Sequence, residues 1–259
     1  MATTQHYMWA GGHFILLISS LRYFLAAILF RAVSAWWYKT AFIGALVSYT
    51  IVCEKQYANE RERLPPVLSL AFARRVLMEE NVQYLLLAIF WWSSKPVAVA
   101  LIPYAIFSLF HALTFTRTTL MPQLLASGPP ATAGGPPTPP ALAKKLHLWV
   151  KAHYDTAMRV VAYAELLIML RVTLGALLWQ NSLMSPLFYA HFLRQRYYQS
   201  KFTRESLSFI NDYVEGYVRK EGTPALVVRV WDSFKLVLTR WGGTVLAPQG
   251  GAGAGPRGQ

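Results

Sequence analysis

The sequence is short of charge, of acidic residues above all, and of cysteine. Only 14% of its 259 residues are charged, where a soluble domain carries roughly 25%. No Asp or Glu occurs before Glu54 or between Glu80 and Asp155. The single cysteine, Cys53, excludes an intrachain disulfide and a Cys-based zinc cluster. No nucleotide-binding glycine loop, HExxH or GxSxG motif is present. His147 and His153 stand six apart, which is not a helical metal pair, and His153-x-Asp155 alone carries no acyl-transfer signature. No enzyme, cofactor or metal site is therefore expected. Residues 1–12 lack Lys and Arg, so the basic start of a cleaved signal peptide is missing and the first apolar run is expected to stay as an anchor.

What the chain has in quantity is apolar and basic. Apolar residues make up 54%, mean hydropathy is +0.30, and 25 Lys+Arg face 12 Asp+Glu for a net charge of +13. Such a chain suits a membrane, with an anionic phospholipid surface as its partner. Nucleic acid is not expected, because no basic module stands clear of apolar sequence.

The runs 13–33 and 36–53 are the first membrane pair, followed by the charged stretch 54–63, Pro65-Pro66 and a short amphipathic helix over 67–80. Val82 to Thr116 holds one charge, Lys95. A straight helix of that length would be about 52 Å long, against a hydrocarbon core of about 30 Å. Ser93-Ser94-Lys95-Pro96 breaks it, since Ser caps a helix start and the residue before Pro leaves the α region. This predicts a hairpin with Ser93, Ser94 and Pro96 at its apex. A second run, Val160 to Leu193, is interrupted by Asn181-Ser182 and Ser185-Pro186 and predicts another hairpin with Ser185 and Pro186 at its apex. The expected fold is an all-α integral membrane protein of three helical hairpins plus C-terminal amphipathic surface helices.

The expected organisation is two hairpins over 1–121 with a cytosolic loop at 54–81, then a Pro/Gly-rich disordered linker over 122–143. The third hairpin follows over 144–193, basic amphipathic helices over 194–246 and a disordered tail over 247–259. With three hairpins, twenty of the 25 basic residues fall on the cytosolic side, as the positive-inside rule requires. Arg22, His111, Glu165 and Arg171 lie inside apolar runs, where an ionisable group costs about 2.5–3.5 kcal/mol at the centre and needs a partner. Glu165 with Arg22 or His111 is one pairing the sequence allows.

Past Leu193, Arg194, Arg196, Lys201 and Arg204 surround Tyr197 and Tyr198. Residues 202–219 have helical period, and Gly222-Thr223-Pro224 separates them from a final helix over 225–245. Its stripe of Val227, Val230, Trp231, Phe234, Leu238 and Trp241, with Arg229, Lys235 and Arg240 on the polar side, suits a helix lying in the headgroup plane. The rival reading packs the stripe on protein.

Several motifs together resemble the core signature of the transmembrane protein 33 family. They are Glu79-Glu80-Asn81-Val82-Gln83-Tyr84-Leu85-Leu86, Lys95-Pro96-Val97, Phe107-Ser108-Leu109-Phe110-His111-Ala112, Thr114-Phe115-Thr116-Arg117, Ala164-Glu165-Leu166 and Pro186-Leu187-Phe188-Tyr189 with Phe192-Leu193-Arg194 and Arg196-Tyr197. The resemblance runs from about Trp36 to Val218; the Pro-rich insert is outside the shared pattern. It implies residence in the endoplasmic reticulum and nuclear envelope, and roles in tubule shaping and in nuclear pore assembly or distribution. It also implies partners among reticulon-type proteins, nucleoporins or an import factor. Two other readings stand beside it: an intramembrane enzyme or transporter built on Glu165, His111 and Arg171, and a membrane-anchored adaptor for a soluble pore or import factor. The sequence leaves an oligomer open.

Overall fold

The computed structural model describes residues 3–60, 69–126, 128 and 138–243. Residues 127 and 129–137 of the Pro-rich linker, the tail over 247–259 and the side chain of Trp241 lie outside the described residues. The chain divides into two compact units, Met1–Ser206 and Leu207–Gln259.

The first unit is helical, and three of its helices are long and apolar enough to cross a membrane: Thr4–Ile28, Ala98–Leu124 and Ala141–Leu177. The protein is an all-α membrane protein. Helix α1 (Thr4–Ile28) starts on Thr3, whose hydroxyl accepts the His6 N–H, and packs along α2 (Ala35–Glu60). The two backbones touch at glycines. A Cβ on Gly44 would sit 2.5 Å from Gly12 O and 2.8 Å from Leu16 N. Lipid tails are as apolar as the helices, so close approach of small residues, not apolar burial, holds such a pair.

Helix α3 (Leu70–Met78) is capped by Ser69, and α4 (Glu80–Ser93) follows directly. The expected break at Ser93–Pro96 is present. Ser93 and Ser94 both turn their hydroxyls back onto Phe90 O, and a short 3₁₀ turn (Ala98–Ala100) leads into α5 (Leu101–Phe115). Helix α5 runs through a π turn (Thr116–Leu120) into α6 (Met121–Leu124). Pro122 explains the wide turn: it has no N–H and its ring crowds the carbonyl four residues back.

Helix α7 (Ala141–Leu177) has 37 residues, about 55 Å, so its polar first half projects as a helix beyond any hydrocarbon core. The turn into α8 (Met184–Gln199) falls at 178–183, on the Asn181-Ser182 interruption and before the expected apex at Ser185 and Pro186. Ser185 and Pro186 form the first turn of α8, where the missing proline N–H would have no helical partner anyway.

Helices α1 and α7 end in the same device. Phe30 (φ 51°) and Trp179 (φ 57°) stand in the left-handed region. Arg31 N–H reaches back to Ala26 O and Gln180 N–H to Gly175 O, closing each helix with a Schellman motif.

The three hairpin turns gather at one end of this unit. Lys39, just past the first turn, donates to Trp92 O and, at 2.6 Å, to Ser94 O beside the second. Ser94 and Lys95 share a cavity with Trp179–Ser182 of the third. The opposite end is tied by Gln5 to Glu54 (2.8 Å), Gln56 to Glu79 (2.8 Å) and Gln199 to Met78 O (2.7 Å). Between the ends lies a core of Leu16, Tyr38, Phe42, Tyr84, Trp91, Tyr104 and Tyr189.

Helix α9 (Lys201–Val218) begins in the first unit, with Phe202 against Met158, Val161 and Ala162. Its second half belongs to the second unit, together with α10 (Ala225–Gly243). Gly222 (φ 88°) and Pro224 separate the two helices.

Candidate functional site

Two places concentrate polar chemistry: an ion cluster in the first unit and the α9–α10 hairpin of the second. Glu165 on α7 is fully buried. It accepts from Tyr84 Oη on α4 at 2.6 Å and from Arg196 Nε on α8 at 3.2 Å. Arg196 Nη1 also reaches Glu80 Oε1 at 2.6 Å, at the first turn of α4. Tyr104 on α5 donates to Tyr84 O at 2.8 Å, and Arg196 lies 5.5 Å from the Tyr84 ring centre. The cluster thus joins three helices through charge and a fourth through one hydroxyl.

Burial takes Arg194 and Arg196 out of the expected membrane-surface set, while Lys201 and Arg204 stay exposed. Arg196 is 5% exposed and spends its guanidinium on Glu165 and Glu80; Arg194 is buried as well. Arg204 Nη1 donates to Tyr197 O and Tyr198 O, satisfying carbonyls that the end of α8 leaves without helical partners. Lys201 lies over the Phe202 ring, 4.7 Å from its centre. A basic, tyrosine-rich run looks like a headgroup surface in sequence. In the fold it serves α8 and its junction with α9.

The other intramembrane polar residues have separate partners. His111 stacks on His13 at 4.7 Å, and His13 Nδ1 meets Ser108 Oγ at 2.9 Å. Arg171 Nη2 donates to Gln180 Oε1 at 3.0 Å, near the third turn. Arg22 is exposed on α1, six residues before its end. Neither Arg22 nor His111 is the partner of Glu165. Among the described residues no group of three or more His, Cys, Asp or Glu is arranged to hold a metal.

In the second unit, Glu215 on α9 gathers α10 onto itself. Its carboxylate accepts from Lys235 Nζ at 2.7 Å, Trp231 Nε1 at 2.6 Å and Arg219 Nε at 2.8 Å. These bonds, Lys235 first, hold its pKa down at about 2. Arg219 also reaches Asp232 at 2.7 Å. Trp231 and Lys235 are thereby turned toward α9. Val227, Val230, Phe234 and Leu238 remain exposed on α10, as do Phe209, Tyr213 and Tyr217 on α9. Arg229 and Arg240 are exposed too. The four-residue spacing of Glu215 and Arg219 was the sequence signal for this pair, and nothing in the sequence linked Glu215 to Trp231 or Lys235.

The family model of transmembrane protein 33/nucleoporin POM33 matches residues 1–242. The chain belongs to this family. Tetra-spanning protein 1 of Schizosaccharomyces pombe is 31% identical over 241 residues, 91% of this chain and 84% of the relative. Nucleoporin POM33 of Chaetomium thermophilum is 32% identical over 249 residues, 91% and 85%. Human transmembrane protein 33 is 28% identical over 172 residues, 65% of each chain. No solved structure matches.

Proposed function

We propose that this member of the family is a non-enzymatic, multi-pass protein of the endoplasmic reticulum and nuclear envelope. On this reading it shapes or senses curved membrane, and it supports nuclear pore assembly and distribution and tubular membrane organisation. Two relatives named as a nucleoporin and a pore membrane protein support the location. The observation that carries the membrane-shaping part is the α9–α10 hairpin. Its inward polar groups are paired on Glu215, while Val227, Val230, Phe234 and Leu238 stay exposed, as do the cations Arg229 and Arg240.

Physically, half-burying such a stripe contributes roughly 1 kcal/mol per side chain, and each cation about 1 kcal/mol on an anionic leaflet. With the turn end of the first unit in the lumen, the opposite end and the chain after α8 lie in the cytosol, which follows the distribution of Lys and Arg. A helix inserted in the cytosolic leaflet adds area on that side and favours positive curvature. Reticulon-type proteins, nucleoporins or an import factor fit as partners on the same side.

The test is flotation of residues 195–259 with anionic liposomes of two sizes. Preference for small liposomes supports the reading. Binding that ignores size removes curvature from it, and absence of binding turns the stripe into a protein-facing surface and sinks the membrane role.

A further inference from the structure

Between the second and third hairpin turns lies a cavity of about 300 Å³, lined by Trp91, Lys95, Val172, Trp179, Gln180, Asn181 and Ser182 among others. It has walls of two kinds. Phe90, Val97, Val172 and Met184 are apolar, while Trp91, Lys95, Trp179, Gln180 and Asn181 carry N–H donors, and the lining holds no Asp or Glu. Lys95 is an exposed cation with no carboxylate partner among the described residues. Trp91 is 1% exposed, and its Nε1 has no hydrogen-bond partner; indole is a donor only. Arg171 holds Gln180 by its carbonyl oxygen, which leaves the amide's donor end unspent. Asn181 spends its Nδ2 on Val172 O (3.0 Å) and Ser182 O (3.3 Å), and its buried Oδ1 is left over as an acceptor.

A buried indole N–H without a partner is costly unless a ligand satisfies it. A donor set of ammonium, indole and amide suits a phosphate. The chain next to the lining residues is apolar and exposed: Leu177 ends α7, Leu178 and Leu183 lie in the turn, and Met184 and Leu187 begin α8. We propose that this cavity binds the headgroup of a glycerophospholipid, its phosphate on Lys95, Trp91 and Gln180 and its acyl chains along α7 and α8. The lipid seals the seam between the two hairpins at their turn end. Free phosphate satisfies the donors equally well but has nothing to lay on the leucines.

The full chain, purified in non-ionic detergent and stripped of lipid, is titrated by native mass spectrometry with dioleoyl phosphatidylglycerol and, separately, with glycerol phosphate. Lys95→Glu is expected to weaken phospholipid binding roughly tenfold, as loss of a charge-assisted contact does. Lys144→Glu, an exposed charge change far along α7, is expected to leave it unchanged. Trp91→Phe keeps the apolar volume and removes only the donor, so it weakens binding only if the N–H meets the ligand. Should Trp91→Phe not fold, the Lys95 and Lys144 pair decides alone. Wild-type binding by Lys95→Glu overturns the proposal, and so does glycerol phosphate bound as tightly as the lipid.

Discussion

Glu165 on α7 and Arg196 on α8, 31 positions apart in the chain, meet at 3.2 Å where both are almost wholly sealed from the surroundings. Neither residue has water to fall back on. Removing one partner of a buried pair strands the other, at about 3–5 kcal/mol. Arg196→Met is therefore expected to lower the detergent melting temperature sharply. Glu165→Gln, which still accepts from Tyr84, should cost less. Glu80→Gln should cost least, because Glu80 is half exposed at 49%. The double variant Glu165→Leu with Arg196→Met should be more stable than Glu165→Leu alone. Equal melting of all five variants would refute a shared cluster.

The glycine contact of α1 and α2 gives a second prediction. A side chain at Gly44 meets the backbone of Gly12 and Leu16, and backbone cannot swing aside. Gly44→Leu should push the helices apart and destabilise the first unit by about 1–3 kcal/mol. Gly11→Leu, beside it on α1, meets nothing within 4 Å and should be silent. Disulfide trapping of paired cysteines on α1 and α2 would read the separation directly.

A third prediction concerns pH. The carboxyl of Glu215 titrates near 2 in the hairpin instead of its ordinary 4.5. A lowered pKa in the folded state means that the stabilisation is complete above about 4.5 and fades as pH falls toward 2. Helicity of the 195–259 fragment should hold from neutral pH to about 4.5 and drop below it. In Glu215→Gln the low-pH step should vanish, with lower helicity at neutral pH. A step of the same size in that variant would assign it to another acid.

The fourth separates hairpin assembly from membrane contact. Phe234→Glu places charge on the exposed stripe and should reduce liposome binding roughly tenfold or more, with helicity intact. Trp231→Phe removes the hydrogen bond to Glu215 and keeps the apolar ring. It should loosen the hairpin, seen as earlier thermal unfolding, with a smaller effect on binding. The reverse ranking would place Trp231, not Phe234, at the membrane.

Breaks were far more legible in the sequence than contacts. Ser93–Pro96 and Gly222–Pro224 act through local backbone chemistry, so they are found at the positions their residue types require. The all-α membrane class follows from charge and hydropathy alone. Contacts have no such local mark. Glu165 was visible as a costly charge, but its partner lay in a run of Arg and Tyr that resembles a basic surface. The Gly12–Gly44 approach is carried by two unremarkable residues 32 positions apart. Of the two interruptions in the last apolar run, Asn181-Ser182 is the turn, while Pro186, expected at the apex, reads equally as a breaker or as a residue of a first helical turn, and only the fold decides which.

Two of the helices that close hairpins are short. Helix α4 has 14 residues, about 21 Å, and α8 has 16, about 24 Å. A plasma membrane core of about 32–33 Å overshoots both, while that of the endoplasmic reticulum, about 27 Å, comes nearer. Every ångström of that mismatch must be met by bilayer thinning around the protein. Around α4 and α8, a thin bilayer is therefore the better solvent for this chain, and a thick, sterol-rich one the poorer.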